Sequence, residues 1–216
     1  MTLASHLPHP SIQRALSSRS RAAGTAALVA IMAALGNGVF CFVLEDLLQL
    51  PNLPLRLVGP GLMLGAAVYG LFPWLAAHPH WPGQASKAIL PIVVGWALAM
   101  ELGLLAQPLT GFAMSATLAL AGLTGAIGLL LGLRHSSPAR LSIIGYALPL
   151  LALGAAMGVC QPLFTQLSQQ LLSDASLALL WQRIVANLLF FGPWQGVMLG
   201  LAVLLLPADS FPRQPE

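Results

Sequence analysis

Residues 22–44 read AAGTAALVAIMAALGNGVFCFVL, a run of 23 without one charged side chain. As a helix, at about 1.5 Å per residue, this run is about 35 Å long, and a bilayer's hydrocarbon core is about 30 Å thick. In hydrocarbon a lone segment must satisfy its own backbone N–H and C=O groups, so the run predicts a transmembrane helix. Arg14, Arg19 and Arg21 precede it with no acid among them. A secretory signal starts in the same way, but its apolar region is only about 7 to 15 residues, so an uncleaved first helix is the expectation.

Working outward, runs of similar character recur at 57–77, 88–107, 111–133, 141–160 and 186–206. The chain is 57% apolar and 7% charged, whereas a soluble domain carries about a quarter charged residues. The sequence therefore predicts an all-α, polytopic bundle of about six transmembrane helices. Residues 1–21 and 208–216 are read as cytoplasmic tails, and 22–207 as the transmembrane domain. The lipid bilayer is the first expected partner. Nucleic acid is excluded, because the nine Lys and Arg stand singly and form no basic groove with interleaved aromatics.

Orientation follows from the bases. With the N-terminus inside, the inner segments hold Arg14, Arg19, Arg21, Lys87, Arg134, Arg140 and Arg213, and the outer ones hold Arg56 and Arg183. Both termini are expected in the cytoplasm. The outer segment from Glu45 to Arg56 contains Pro51 and Pro54, which rules out a continuous helix. The segment from Gln161 to Val185 is too polar to cross, yet Phe164, Leu167, Leu171 and Ala178 share a face roughly opposite Gln166 and Gln169. Asp174 interrupts that face. An interfacial outer helix between helices five and six, or an extension of helix five beyond the bilayer, is expected.

An internal repeat is the most informative feature. Gly61-Leu62-Met63-Leu64-Gly65-Ala66-Ala67-Val68 and Gly196-Val197-Met198-Leu199-Gly200-Leu201-Ala202-Val203 agree at six of eight positions. Gly59-Pro60 and Gly192-Pro193 precede them; Pro73 and Pro207 follow. Both copies run from outside to inside in the topology above, so the repeat is expected to be parallel. The pairs Gly61/Gly65, Gly196/Gly200, Gly128/Gly132 and Gly154/Gly158 place small side chains on one helix face, where backbones approach closely. Trp74, Trp81, Trp181 and Tyr69 fall near span ends, as interfacial aromatics do, and Trp96 and Trp194 fall deeper.

Polar groups inside apolar spans are costly, so each carries information. Glu101 is the acid well within a span, and it is expected to face the bundle interior together with Asn37. Asn37, Cys41 and Glu45 follow at i, i+4 and i+8 as one stripe. Cys160 and Asn187 fall near the same outer end, and Gln195 lies in the last span. These seven residues form a candidate polar membrane site, an outward vestibule for a cation, a proton or a quinol. The alternative for Glu101 is a neutral carboxyl hydrogen-bonded to a neighbouring helix. Cys41 and Cys160 permit one disulfide and no zinc motif. All five histidines, His6, His9, His78, His80 and His135, lie outside the spans. No Walker, zinc-helix or nucleophile-elbow motif occurs, and no metal or cofactor is expected.

With spans and repeat in hand, the chain resembles the N-terminal half of the catalytic subunits of haem-copper oxidases, at the end of that superfamily that includes nitric oxide reductases. Gly65-Ala66-Ala67-Val68-Tyr69-Gly70-Leu71-Phe72-Pro73 looks like the end of that family's second helix, and Trp181 to Pro207 is similar to the region of its sixth. The resemblance implies equivalent positions for helices two and six and residence in a bacterial inner (plasma) membrane. The sequence departs from the family where its metals bind. Leu53 to Val58 offer no histidine, and counting back from Pro207 to the copper-ligand position lands near Asn187, so reductase activity does not carry over.

Three classes of function follow. The first is a non-catalytic membrane protein, an accessory subunit or ligand-less relative of respiratory oxidases with other membrane subunits as partners. The second is a small-solute, proton or cation transporter or channel using Glu101 and Asn37. The third is a haem- or quinone-binding membrane protein.

Overall fold

The computed structural model describes residues 10–49, 53–75, 85–136, 143–173 and 178–206. Among them the chain is all helix. Helix α1 spans Pro10–Cys41 and ends in a π-helical turn, Phe42–Leu47; α2 is Leu53–Leu75, α3 Ala85–Ala106 and α4 Gly111–Ser136. A second π-helical turn, Ile143–Ala147, leads into α5, Leu148–Val159; α6 is Gln161–Ser173 and α7 Leu179–Leu204. His6, His9, His78, His80, Trp81, Arg140, Asp174, Pro207 and Arg213 lie outside the described residues, as do both ends of the predicted tails.

Four stretches are long and apolar enough to cross a membrane: Arg19–Leu47, Ser86–Ala106, Gly111–His135 and Leu179–Leu204. A fifth arises if Ile144–Val159 and Gln161–Ser173, bent by 45° at Cys160, count as one broken span. The apolar part of α2, Leu57–Leu71, is shorter. Proline explains the bend, because Pro162 has no N–H to continue the helix and its ring collides with the carbonyl four residues back. The chain turns there through a tight bond from Leu163 N–H to Cys160 O at 3.0 Å.

The helices close a ring in the order α1, α2, α3, α4, α5, α7, with the thinnest junction between α5 and α7. Glycine sets the approach at each well-packed junction. A Cβ on Gly95 of α3 would lie 2.6 Å from the Cα of Gly128 on α4, and one on Gly128 would lie 2.7 Å from Pro91 O. Gly122 of α4 packs in the same way on Gly154 and Gly158 of α5. Along α1 and α7, Gly38 meets Ile184, Ala34 meets Gly192, Ile31 meets Gly196 and Ala27 meets Gly200, an antiparallel seam of small residues. Without a hydrophobic force between helices in lipid, close backbone packing of this kind drives their association.

Both copies of the repeat use their glycines inside the bundle. Gly61 and Gly65 of α2 press on Trp96 and Ile89 of α3, and Gly196 and Gly200 of α7 press on α1. The two copies meet at one level, since Gln195 Nε2 donates to Pro60 O at 3.4 Å, and 195 and 60 are equivalent positions of the repeat. Outside, Leu28, Met32, Leu90, Leu98, Leu120, Leu131, Leu148 and Val197 are exposed. An apolar belt of this size is a lipid surface rather than a water surface. Inside, Trp96 touches Phe191 at 5.6 Å and Trp194 at 5.0 Å, edge to face, and these rings fill the centre of the ring of helices.

Candidate functional site: two joined cavities at one end of the bundle

The site lies at the end of the bundle where α1 finishes and α7 begins. On α1 the polar stripe is formed as expected, with Asn37 1% and Cys41 8% exposed. The π-helical turn that follows carries Glu45 and Asp46 back toward α7. There Arg183 makes a two-pronged contact with Asp46, Nε to Oδ2 at 2.9 Å and Nη2 to Oδ1 at 3.0 Å. The same guanidinium stands 3.2 Å from Glu45, whose side chain is 4% exposed. Two carboxylates thus share one base, and together they clasp the ends of α1 and α7.

One turn deeper, two amides extend the contact. Asn187 Nδ2 donates to Arg183 O at 2.9 Å, which commits its Oδ1 to accept from Asn37 Nδ2 at 2.6 Å. Because a backbone carbonyl only accepts, this relay fixes the orientation of both amides. Asn37 Oδ1 is left without a partner and lies over α2, where a Cβ on Gly59 would come within 2.8 Å of it.

A cavity of about 270 Å³ opens beside this relay, lined by Asn37, Cys41, Glu45, Arg183 and Asn187 on one side and by Thr165, Ser168 and Gln169 of α6 on the other. A second cavity of about 290 Å³ lies deeper, between α3, α4, α5 and α7, lined almost wholly by apolar groups such as Trp96, Leu118, Gly122 and Trp194. Met100, Thr165, Phe190 and Phe191 line both cavities, so the two are adjacent lobes that meet at these side chains, one with polar groups in its lining and one almost wholly apolar. Gln161 Nε2 ties the base of α6 to Phe190 O at 3.0 Å, and Phe190 stands edge to face on Phe191 at 4.8 Å. The dividing wall is therefore held from both sides.

Of the seven residues expected at the site, the structure brings four together: Asn37, Cys41, Glu45 and Asn187. Glu101 is a correction. It is exposed and does not join Asn37. Helix α3 turns its small and aromatic face, with Gly95 and Trp96, toward α2 and α4. At 100° per residue Glu101 then sits within about 40° of the outward Leu90, Val94 and Leu105. It lies five residues before the end of α3, about 7.5 Å, so its stem reaches along the surface and the carboxylate stays near the bundle end.

Cys160 stands at the bend and is half-buried, and no disulfide joins it to Cys41. Gln195 is fully buried, but it faces Pro60 and lines neither lobe; its Oε1 has no partner. Among the described residues no three His, Cys, Asp or Glu side chains gather as a metal group.

Sequence reasoning placed Gln161 near the outer end with Cys160 and Asn187, and it missed Arg183, Thr165, Ser168 and the Phe190–Phe191 wall. A signal was present in α6, where Gln161, Thr165 and Ser168 follow at i, i+4 and i+7 as one polar face. Comparison with protein-family models, with curated proteins and with solved structures finds no match to this chain.

Proposed function

We propose that this chain is a six-span, non-catalytic integral membrane protein that holds an amphiphile from the bilayer in the two-lobed cavity. The observation carrying the reading is the sharing of Met100, Thr165, Phe190 and Phe191 between a polar lobe and an apolar one. A ligand with a polar head and an apolar tail matches that order of surfaces, and pockets of a few hundred Å³ with few polar groups are usual for small ligands.

The six-span count adds α2 and the bent α5–α6 unit to the four long helices. With seven bases at one end and two at the other, the reading places both termini in the cytoplasm and the cavity at the outer face of a bacterial inner membrane. Kinship with the oxidase subunits belongs to the same proposal. What supports it is the contact of α2 with α7 at equivalent positions of the repeat. The copper-ligand position, near Asn187, holds an amide engaged with Asn37 and Arg183, which favours a binding role over oxygen chemistry. The transporter reading loses its acid, because Glu101 lies outside the cavity.

Gly103 supplies the test. It lines the apolar lobe, and a Cβ there meets nothing within 4 Å, so Gly103→Leu fills the lobe without a clash and improves helix propensity. Native mass spectrometry of protein released from micelles containing monoolein should show retained lipid on the parent chain and none on the variant. Equal retention by both overturns the assignment of the cavity.

A further inference from the structure

We infer that the amphiphile has an uncharged, hydrogen-bonding head, an inference that rests on the ligand-holding reading above. The polar lobe is built to meet such a head. Among the described residues Arg183 is the one base lining it, and that guanidinium is engaged by Asp46 on two nitrogens and by Glu45 at 3.2 Å. A phosphate or carboxylate entering the lobe would find its one base already engaged and would stand beside Glu45. An anion without a partner in a water-poor site is strongly disfavoured. A cationic head fares little better, since the one carboxylate in the lining, Glu45, stands 3.2 Å from the guanidinium that lines the lobe with it.

The groups left free are neutral. Ser168 is 8% exposed, its side chain lines the lobe, and its hydroxyl bonds to no described residue. Thr165 donates to Gln161 O at 3.2 Å and keeps its lone pairs to accept a donor from the ligand. Ser168 as donor or acceptor, Thr165 as acceptor and the Gln169 amide complement a head of hydroxyls or carbonyls. One face of α6 carries all three, and the bend at Cys160 lays that face over the mouth of the apolar lobe.

A cavity of about 150 Å³ holds one benzene ring, so the apolar lobe's 290 Å³ is large enough for a chain segment. Beside the polar lobe, it suits a glycerol ester or a ring-headed isoprenoid equally well; both present the same uncharged oxygen groups.

Four probes test the head: monoolein, a ubiquinone analogue with a decyl tail, oleoyl-lysophosphatidylglycerol and oleoylcholine. Each is titrated against the purified full chain, and bound lipid is counted by native mass spectrometry. One or both neutral probes should bind about tenfold or more tightly than the charged two, given the cost of an unpaired charge. Monoolein alone binding marks a glyceride source, and the quinone alone a ring-headed one. Ser168→Ala should weaken the preferred neutral probe about fivefold, the loss of one hydrogen bond, without changing the melting temperature. Equal binding of neutral and charged heads, tighter binding of a charged one, or an unaffected Ser168→Ala variant overturns the head-group inference while leaving the cavity reading intact. Failure of all four probes to bind overturns the cavity reading itself.

Discussion

Replacing Arg183 by Gln should destabilise the bundle far more than replacing either acid it holds. The reason is the two-to-one stoichiometry of the clasp. With Arg183 gone, Glu45 at 4% side-chain exposure and Asp46 at 16% face each other without their guanidinium. Breaking a fully buried pair costs about 3 to 5 kcal/mol. Arg183 is 33% exposed, so solvent screens part of this, and about 2 to 3 kcal/mol is the expected loss. Asp46→Asn removes the charged two-pronged contact and should cost about 1 to 2 kcal/mol. Glu45→Gln should lie within about 0.5 kcal/mol of the parent, because Asp46 keeps the base and the like-charge contact disappears. Reversible unfolding in mixed micelles of dodecylmaltoside and increasing SDS, followed by tryptophan fluorescence, ranks the three variants. A Glu45→Gln variant that unfolds more easily than Arg183→Gln would refute the shared-base account.

Gly128→Ala sets a Cβ 2.7 Å from Pro91 O and 2.8 Å from the Cα of Gly95; both are backbone atoms without a rotamer to yield. The variant should lose about 1 to 3 kcal/mol in the same unfolding assay. Tyr146 is 2% exposed with an unpartnered hydroxyl, so Tyr146→Phe should be neutral or stabilise by up to about 1 kcal/mol. For topology, reporter fusions at His135 and at Gln170 should report opposite sides of the membrane, and the same side for both would sink the six-span count. Glu101→Gln should leave both stability and amphiphile retention unchanged, since its side chain touches neither lobe.

Much of the fold was legible because lipid imposes few solutions. Long uncharged runs had to be helices, and their six centres coincide with α1, α2, α3, α4, α5 and α7. Gly-x-x-x-Gly spacings marked contact faces because no other side chain allows backbones so close, and all four pairs turn toward a neighbouring helix. Boundaries were harder to read. Arg183 sits less than one turn before the expected start of the last span at 186, yet α7 already runs from Leu179, because Asp46 and Glu45 neutralise the charge that seemed to end it. Hydropathy scores a residue alone and cannot see that a base has a partner 137 positions away.

The site shows the same limit from two directions. Glu101 was expected inside because a charge at mid-membrane must find a partner, but that rule depends on depth, and five residues from a helix end a carboxylate can reach the interface by its own stem. The glycine at 95 and the ring at 96 compete for the inward direction and win, since their contacts are with backbone and core. On α6 the apolar residues drew the reading, with Leu167 and Leu171 taken as the informative face. They are exposed, on the flank of α6 turned away from the bundle. A helix lying on a bundle, at the edge of lipid and water, has three surroundings, and an apolar-versus-polar division names only two of them. Its third face is Gln161, Thr165 and Ser168. Their polarity is spaced as a stripe because Gln161 donates to the neighbouring helix at Phe190 O, Thr165 to Gln161 O one turn back, and Ser168 lines the polar lobe.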